Sequence, residues 1–271
     1  MKSIMKWTGV VLGGLIGLAV LAGLALYPIG MKKLTGTFPN IPVQTVNIPT
    51  DSDAVARGRH IAIVWACTKC HAENLSGTLL ANDPIVGTIP ASNLTAGKGG
   101  IAESYADTDW IRAIRHGVKP NNRGEIFMND YSTMSDRDLG DLIAYLKQVP
   151  PVNTSYPAMN YGPIIPVAPA IGLFTPAAEL IDHNAPRSAD PLPGATIEYG
   201  KYLAAICAEC HGKSVANMLK NWKQEDFIRA FHTGVLPDGR QLGPTMSSKT
   251  FSEMNDMELT ALRLYYIDAR P

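Results

Sequence analysis

The stretch Cys67-Thr68-Lys69-Cys70-His71 decides the fold, and Cys207-Ala208-Glu209-Cys210-His211 repeats its pattern in the second half of the chain. Each reads Cys-x-x-Cys-His, and together they use all four cysteines of the 271 residues. Chance would produce one such match in a chain of this composition about once in a thousand sequences. Two matches that exhaust the cysteines therefore indicate one shared chemistry.

This pattern is the attachment signature of a c-type haem. Two thiols at this spacing add to the haem vinyl groups, and the following histidine ligates the iron. A shared structural zinc ion would not require a histidine after each cysteine pair, and a redox dithiol needs only one pair. The sequence thus predicts two covalently attached c-type haems, held by Cys67, Cys70 and His71 and by Cys207, Cys210 and His211.

Charge and length narrow the class of protein. The 24 basic and 24 acidic residues give zero net charge, and no basic block indicates a nucleic-acid partner. The length suits two modest domains, and 20 prolines with 24 glycines predict substantial loop and linker.

The N-terminus predicts a membrane anchor. Residues 7–30 carry almost only apolar side chains, enough to cross a hydrocarbon core of about 30 Å, and residues 1–6 would lie in the cytoplasm. A cleaved signal peptide is the alternative, with Gly23-Leu24-Ala25 as its site, but the apolar stretch is longer than a typical signal core. Because c-type haem is attached outside the cytoplasmic membrane, we expect a single-pass protein of a bacterial cytoplasmic membrane with its haem domains on the periplasmic side.

The remainder of the chain is an internal duplication. We expect a mainly α fold, in which the N-terminal transmembrane helix precedes two tandem domains. Each domain has a helix leading into the haem motif, a middle helix and a closing helix that begins at a polar cap, Ser135 or Asn255. The predicted boundaries are an extended tether at 31–50, domain 1 at 51–152, a Pro-rich linker at 153–194 and domain 2 at 195–271, with a long loop at 72–106.

With these elements, each half resembles a class I cytochrome c domain. Together, residues 51–271 resemble membrane-attached dihaem cytochromes that serve as electron-transfer subunits of respiratory or dehydrogenase complexes. The resemblance implies redox donor and acceptor proteins and other subunits of a membrane complex as partners. It also implies that a loop methionine supplies the sixth ligand of each iron.

The duplication selects the methionines. Met128 lies 11 residues after Gly117, and Met246 lies 12 after Gly234, so the two correspond and are the predicted ligands. Met134 and Met254 stand directly before the caps of the closing helices and are expected to be packing residues. Domain 1 departs from the family pattern because Asn129 replaces the usual proline after the ligand.

Thioether and imidazole ligands raise the potential of the iron and leave no open position for a substrate. This favours an electron carrier of a respiratory or photosynthetic complex over an enzyme; the alternative is a dihaem enzyme such as a peroxidase or thiosulfate oxidoreductase. The halves also differ. Thirty-three residues separate His71 from Tyr105, but only 10 separate His211 from Trp222, so we expect the second haem to be more exposed or covered by another subunit.

Overall fold

The computed structural model describes residues 2–211, 215–243, 246 and 251–268, and this part of the chain is largely helical. The helices are α1 (Lys2–Leu34), α2 (Ser52–Val64), α3 (Cys67–His71), α4 (Asp107–His116), α5 (Asp136–Leu146), α6 (Val167–Ala170), α7 (Ala177–Leu180), α8 (Ile197–Leu203), α9 (Ala205–His211), α10 (Val215–Leu219), α11 (Gln224–Thr233) and α12 (Asp256–Asp268). The strands are β1 (Thr78–Asp83), β2 (Gly87–Ala91) and β3 (Asn160–Tyr161).

Helix α1 contains the predicted span. Its segment Met5–Leu34 is long and apolar enough to cross a membrane, and its large apolar side chains are exposed. The helix continues four residues past the predicted end of the span at residue 30, and Leu34 is buried against the rest of the protein. The predicted tether therefore begins later than expected.

The first helix pair consists of α2 and α5. Asp51 caps α2 by accepting a hydrogen bond from the Ala54 amide at 2.9 Å. The two helices touch backbone to backbone, because a Cβ on Gly58 would overlap the Asp141 carbonyl group. Arg57 also forms an ion pair with the buried Asp141 carboxylate, with Nε 2.7 Å from Oδ2.

The second helix pair, α8 and α12, repeats this packing. A Cβ on Gly200 would overlap the Ala261 carbonyl group and crowd the Cβ of Tyr265. Tyr145 is the corresponding neighbour of Gly58 in the first pair. The predicted cap is also present, since the Asn255 and Glu258 side chains each accept a hydrogen bond from the other residue's amide.

The two helix pairs hold each other through reciprocal contacts. His60 on α2 lies 2.8 Å from Glu258 on α12. In the other direction, the Tyr202 hydroxyl on α8 donates to Asp138 on α5 at 2.7 Å. Apolar side chains of both pairs belong to one hydrophobic core, where Trp65 packs edge-on against Tyr202.

A small antiparallel sheet lies where the sequence predicted a loop. Strands β1 and β2 form a hairpin within residues 72–106, and β3 pairs with β2 through Gly87 and Tyr161. The loop prediction for 72–106 was thus wrong in part. Residues 160–161, within the expected Pro-rich linker, complete the sheet.

The close approach at Gly58 predicts the sign of a stability change. Helix propensity alone would make Gly58→Ala stabilising by about 1 kcal/mol. Because the new methyl group meets a backbone carbonyl that cannot rotate away, we expect a net loss of about 1–3 kcal/mol. Urea unfolding monitored by circular dichroism measures the loss, with Gly194→Ala, a half-buried site without a clash, as the control. A more stable Gly58→Ala protein would contradict the packing.

The contact between His60 and Glu258 predicts a pH dependence. The hydrogen bond that the Glu258 carboxylate accepts from His60 raises the pKa of His60 above its ordinary value near 6.5. The ion pair therefore stabilises the fold fully below about pH 6.5 and is lost as the pH rises through the raised pKa. We expect His60→Gln to cost about 0.5–1 kcal/mol near pH 5.5 and almost nothing near pH 9. Tyr202→Phe, which removes the reciprocal contact, should show a loss that does not change over this range.

Candidate haem site

The first cysteine motif opens onto an internal cavity. Helix α2 ends at the buried Trp65, and Ala66 turns the chain with a left-handed φ of 60° before α3 begins. This turn aims α3 so that Cys67, Cys70 and His71 all line a cavity of about 240 Å³. The space is several times that occupied by one water molecule, ~30 Å³.

The cavity walls come from several elements of the first half and are mainly apolar. They include side chains of the hairpin, of α4 and of α5, namely Leu80, Ile89, Ala91, Trp110, Ala113, Ile114, Leu142 and Leu146. The loop after α4 adds Ile126, Phe127, Met128 and Tyr131. A mostly apolar cleft with few polar groups is typical of a site for an organic cofactor.

The hydrogen bond of His71 determines which ring nitrogen carries the proton and which keeps a lone pair for a metal. Its Nδ1 lies 2.7 Å from the Ser92 carbonyl oxygen. A carbonyl only accepts, so Nδ1 carries the proton and Nε2 keeps its lone pair. Burial lowers the pKa of His71, which keeps the ring neutral. This is the arrangement of a metal-ligating histidine held by a backbone carbonyl.

The methionines of the first half lie in two different places, the cavity wall and the hydrophobic core. Met128 lines the cavity, whereas Met134 is buried in the core directly before the Ser135 cap. Met159, from the segment that leads into β3, lines the cavity as well. Met159 was not among the predicted ligands, since it lies outside the repeated part of the chain.

The two thiols are held in the neutral form. Burial raises the pKa of Cys67 to about 12, and burial also raises that of Cys70. A redox dithiol needs the opposite, a thiol whose pKa is lowered so that a reactive thiolate forms. The environment of these cysteines therefore disfavours the dithiol alternative.

An unused hydrogen-bond donor marks the cavity as a haem cradle. The buried indole Nε1–H of Trp110 has no partner among the described residues, although burying such a donor unpaired is unfavourable. A haem carries carboxylates that accept such bonds, and its ring suits the apolar walls. Within the same described part, no three His, Cys, Asp or Glu side chains are grouped to hold a bare metal ion.

The second motif lies on α9, directly after α8. Cys207 is half-buried, and burial together with the neighbouring Cys207 raises the pKa of Tyr266 on α12. Met246 is half-buried, and its amide donates to the Gly243 carbonyl at 3.0 Å. The Cys210 side chain and residues 212–214, 244–245 and 247–250 lie outside the described part of the chain, so the walls of this site are not described.

Comparison with known proteins finds a family match in the first half. Residues 55–150 match the cytochrome c family. The segment is thus similar to a cytochrome c domain, and such a domain implies a covalently bound c-type haem with its iron. The match contains Cys67, Cys70, His71 and Met128, the residues that line the cavity.

Two curated proteins are similar over more of the chain. The fructose dehydrogenase cytochrome subunit of Gluconobacter japonicus is 22% identical, over 86% of this chain and 56% of that protein. The gluconate 2-dehydrogenase cytochrome c subunit of Pantoea cypripedii is 27% identical, over 58% of this chain and 37% of that protein. The chain thus spans about half the length of the first relative and less of the second.

Proposed function

We propose that this chain is a membrane-anchored dihaem cytochrome c that passes single electrons, as a subunit of a membrane dehydrogenase complex. The cavity of the first motif carries the proposal, because it brings two thiols, a neutral imidazole and a thioether together between apolar walls. The similarity to cytochrome subunits of two dehydrogenases supports the assignment to such a complex. The body of the protein is assigned to the periplasmic side, since c-type haem is attached there.

In the first site, each residue has a separate role. Cys67 and Cys70 anchor the haem covalently, and His71 offers the Nε2 lone pair to the iron. Met128 would supply a thioether ligand to the iron, and the Trp110 indole would donate to a haem carboxylate. The neutral tautomer of His71 is kept ready for ligation by the Ser92 carbonyl.

In the second site, the proposed residues are Cys207, Cys210, His211 and Met246. Their support is the repeated packing around Gly58 and Gly200, which sets the same helix crossing ahead of each motif. The first relative also matches 86% of the chain, more than the 55–150 segment can account for. We therefore assign one haem to each half.

The ligand set supports a carrier. When bound, c-type haem iron exchanges one electron at a time, and a thioether opposite an imidazole favours its reduced form. Met128 and Met246 keep the sixth position closed to substrate. The apolar walls around the first motif exclude water and so limit the charge rearrangement that accompanies each transfer.

The number of haems is directly testable. The full-length protein should contain two covalent haems for each polypeptide, measured as pyridine haemochrome against protein mass. The triple variant Cys207→Ser, Cys210→Ser, His211→Ala should retain only the haem of the first half. The matched triple variant Cys67→Ser, Cys70→Ser, His71→Ala should retain only the haem of the second half. A wild-type content of one would overturn the dihaem assignment.

The axial methionine is tested by comparing three variants. Met128→Ala should abolish the sulfur-to-iron absorption of one haem, lower its potential and let cyanide bind, since the sixth position becomes open. Met134→Leu and Met159→Leu should keep the sulfur-to-iron absorption, the potential and the exclusion of cyanide. Met134 packs in the core, and Met159 is a residue of the cavity wall. Loss of the absorption in Met159→Leu or Met134→Leu, with Met128→Ala unchanged, would reassign the ligand.

The same measurement separates a carrier from an enzyme. If the wild-type protein in its resting state binds cyanide or peroxide at either haem, one sixth position is open. That result would favour the dihaem enzyme alternative. A closed pair of haems that exchange electrons with external donors and acceptors is expected instead.

A further inference from the structure

The Pro-rich segment after β3 packs against the end of α1. A Cβ on Gly30 would overlap the Pro166 carbonyl oxygen, so the two backbones are in direct contact. The Lys33 ammonium group donates to the Pro169 carbonyl at 3.1 Å. These contacts tie α6 to the last turn of α1, where the uncharged stretch gives way to Lys32 and Lys33.

That last turn marks the level at which α1 leaves the hydrocarbon core. Lysines next to a span lie in the headgroup region, and Gly30 to Lys33 is about one helical turn, ~5 Å. A segment that contacts Gly30 and accepts a hydrogen bond from Lys33 is therefore at the depth of the lipid headgroups. Its position follows from α1 alone and needs no other membrane contact.

Large aliphatic side chains around α6 face away from the protein. Ile171 and Leu173, which follow α6 in the sequence, are 54% and 74% exposed. Ile164, which precedes α6, is exposed as well. The tip of the hairpin extends this surface, since the Ile164 amide donates to the carbonyl of the exposed Ile85 at 3.4 Å. Four exposed aliphatic residues so close together would be unfavourable in water.

We propose that these four residues, Ile85, Ile164, Ile171 and Leu173, form a foot that rests in the headgroup region of the bilayer crossed by α1. The inference rests on the membrane anchor of the proposed function. Lipid is the assigned occupant because the segment that carries Ile164, Ile171 and Leu173 contacts the last turn of α1, at the level where that helix leaves the hydrocarbon core. Apolar residues of an interfacial segment enter the headgroup boundary by about 5–10 Å.

The foot also sets the height of the first haem site. Phe174, directly after the foot, packs against Phe127 with ring centroids 6.0 Å apart, and Phe127 lines the cavity. The wall of the site is thus joined to the membrane through two aromatic rings. The domain would be held at one orientation rather than swinging on a tether.

Cysteine accessibility in vesicles tests the foot. In the haem-loaded full-length chain the four native cysteines are thioethers, so an introduced cysteine is the free thiol. Reconstituted alone into phosphatidylcholine vesicles, Ile171→Cys and Leu173→Cys should react with a charged maleimide at least about tenfold more slowly than Leu192→Cys, which replaces an apolar residue that is 86% exposed. A diazirine phospholipid in the same vesicles should leave adducts on peptides covering 163–174.

Two results would overturn the foot. Equal maleimide rates at positions 171, 173 and 192, without lipid adducts, would show that the segment lies in water. Fast reaction in vesicles but protection in the native complex would assign the surface to another subunit. Leu15→Cys, within α1, separates the two proposals: a fast rate there removes anchor and foot together, whereas a slow rate there with fast rates at 171 and 173 removes the foot alone.

Discussion

The contact between backbones at Gly58 and Gly200 is the constraint on which the arrangement of the helices depends. Each glycine lies on a helix that leads into a cysteine motif, and each touches a carbonyl of the closing helix. This contact fixes the distance between the motif and the closing helix. In the first half, Leu142 and Leu146 of α5 can therefore form the cavity wall opposite Cys67. Any side chain at Gly58 would push that wall away.

The caps of the two closing helices are also the places where the halves of the protein meet. In the second half, the Asn255 amide bonds directly to Glu258, whose other oxygen bonds to His60. In the first half, the shorter Asp138 does not close the cap itself. The Tyr202 hydroxyl stands between, accepting from the Ser135 amide and donating to Asp138. The start of α5 is thus completed by a side chain of the other half, whereas the cap of α12 closes on its own and is joined to the other half through His60.

Local signals were sufficient to predict much of this structure. Helix α4 is the predicted middle helix and begins directly after residue 106, Gly117 ends it with a positive φ of 61°, and Ser135 caps α5 as predicted. These features depend on residues close in sequence. The hairpin was missed because β1 has no alternating apolar pattern and the strands are stabilised partly by β3, far along the chain.

The candidate site also combines features that the sequence predicts with features that depend on tertiary structure. The cysteine motif and Met128 could be found by pattern and repeat, and both line the cavity. The bond that orients His71 could not be found, since its acceptor is a backbone carbonyl 21 residues away and any residue could supply it. Met159 and the unpaired indole of Trp110 likewise become visible only when tertiary structure brings them to the cavity.

The hairpin gives physical meaning to the unequal spacing after the two motifs. Strands β1 and β2 with their turn occupy residues 78–91, and Leu80, Ile89 and Ala91 cover one edge of the first cavity. The 10 residues between His211 and Trp222 include α10, so an equivalent hairpin does not fit there. The prediction that the second haem is more exposed or covered by another subunit rests on this difference in length. A haem edge that is less covered is better solvated, and solvent exposure changes the potential of the iron, so under the proposed assignment of two haems the difference in loop length would also separate their potentials.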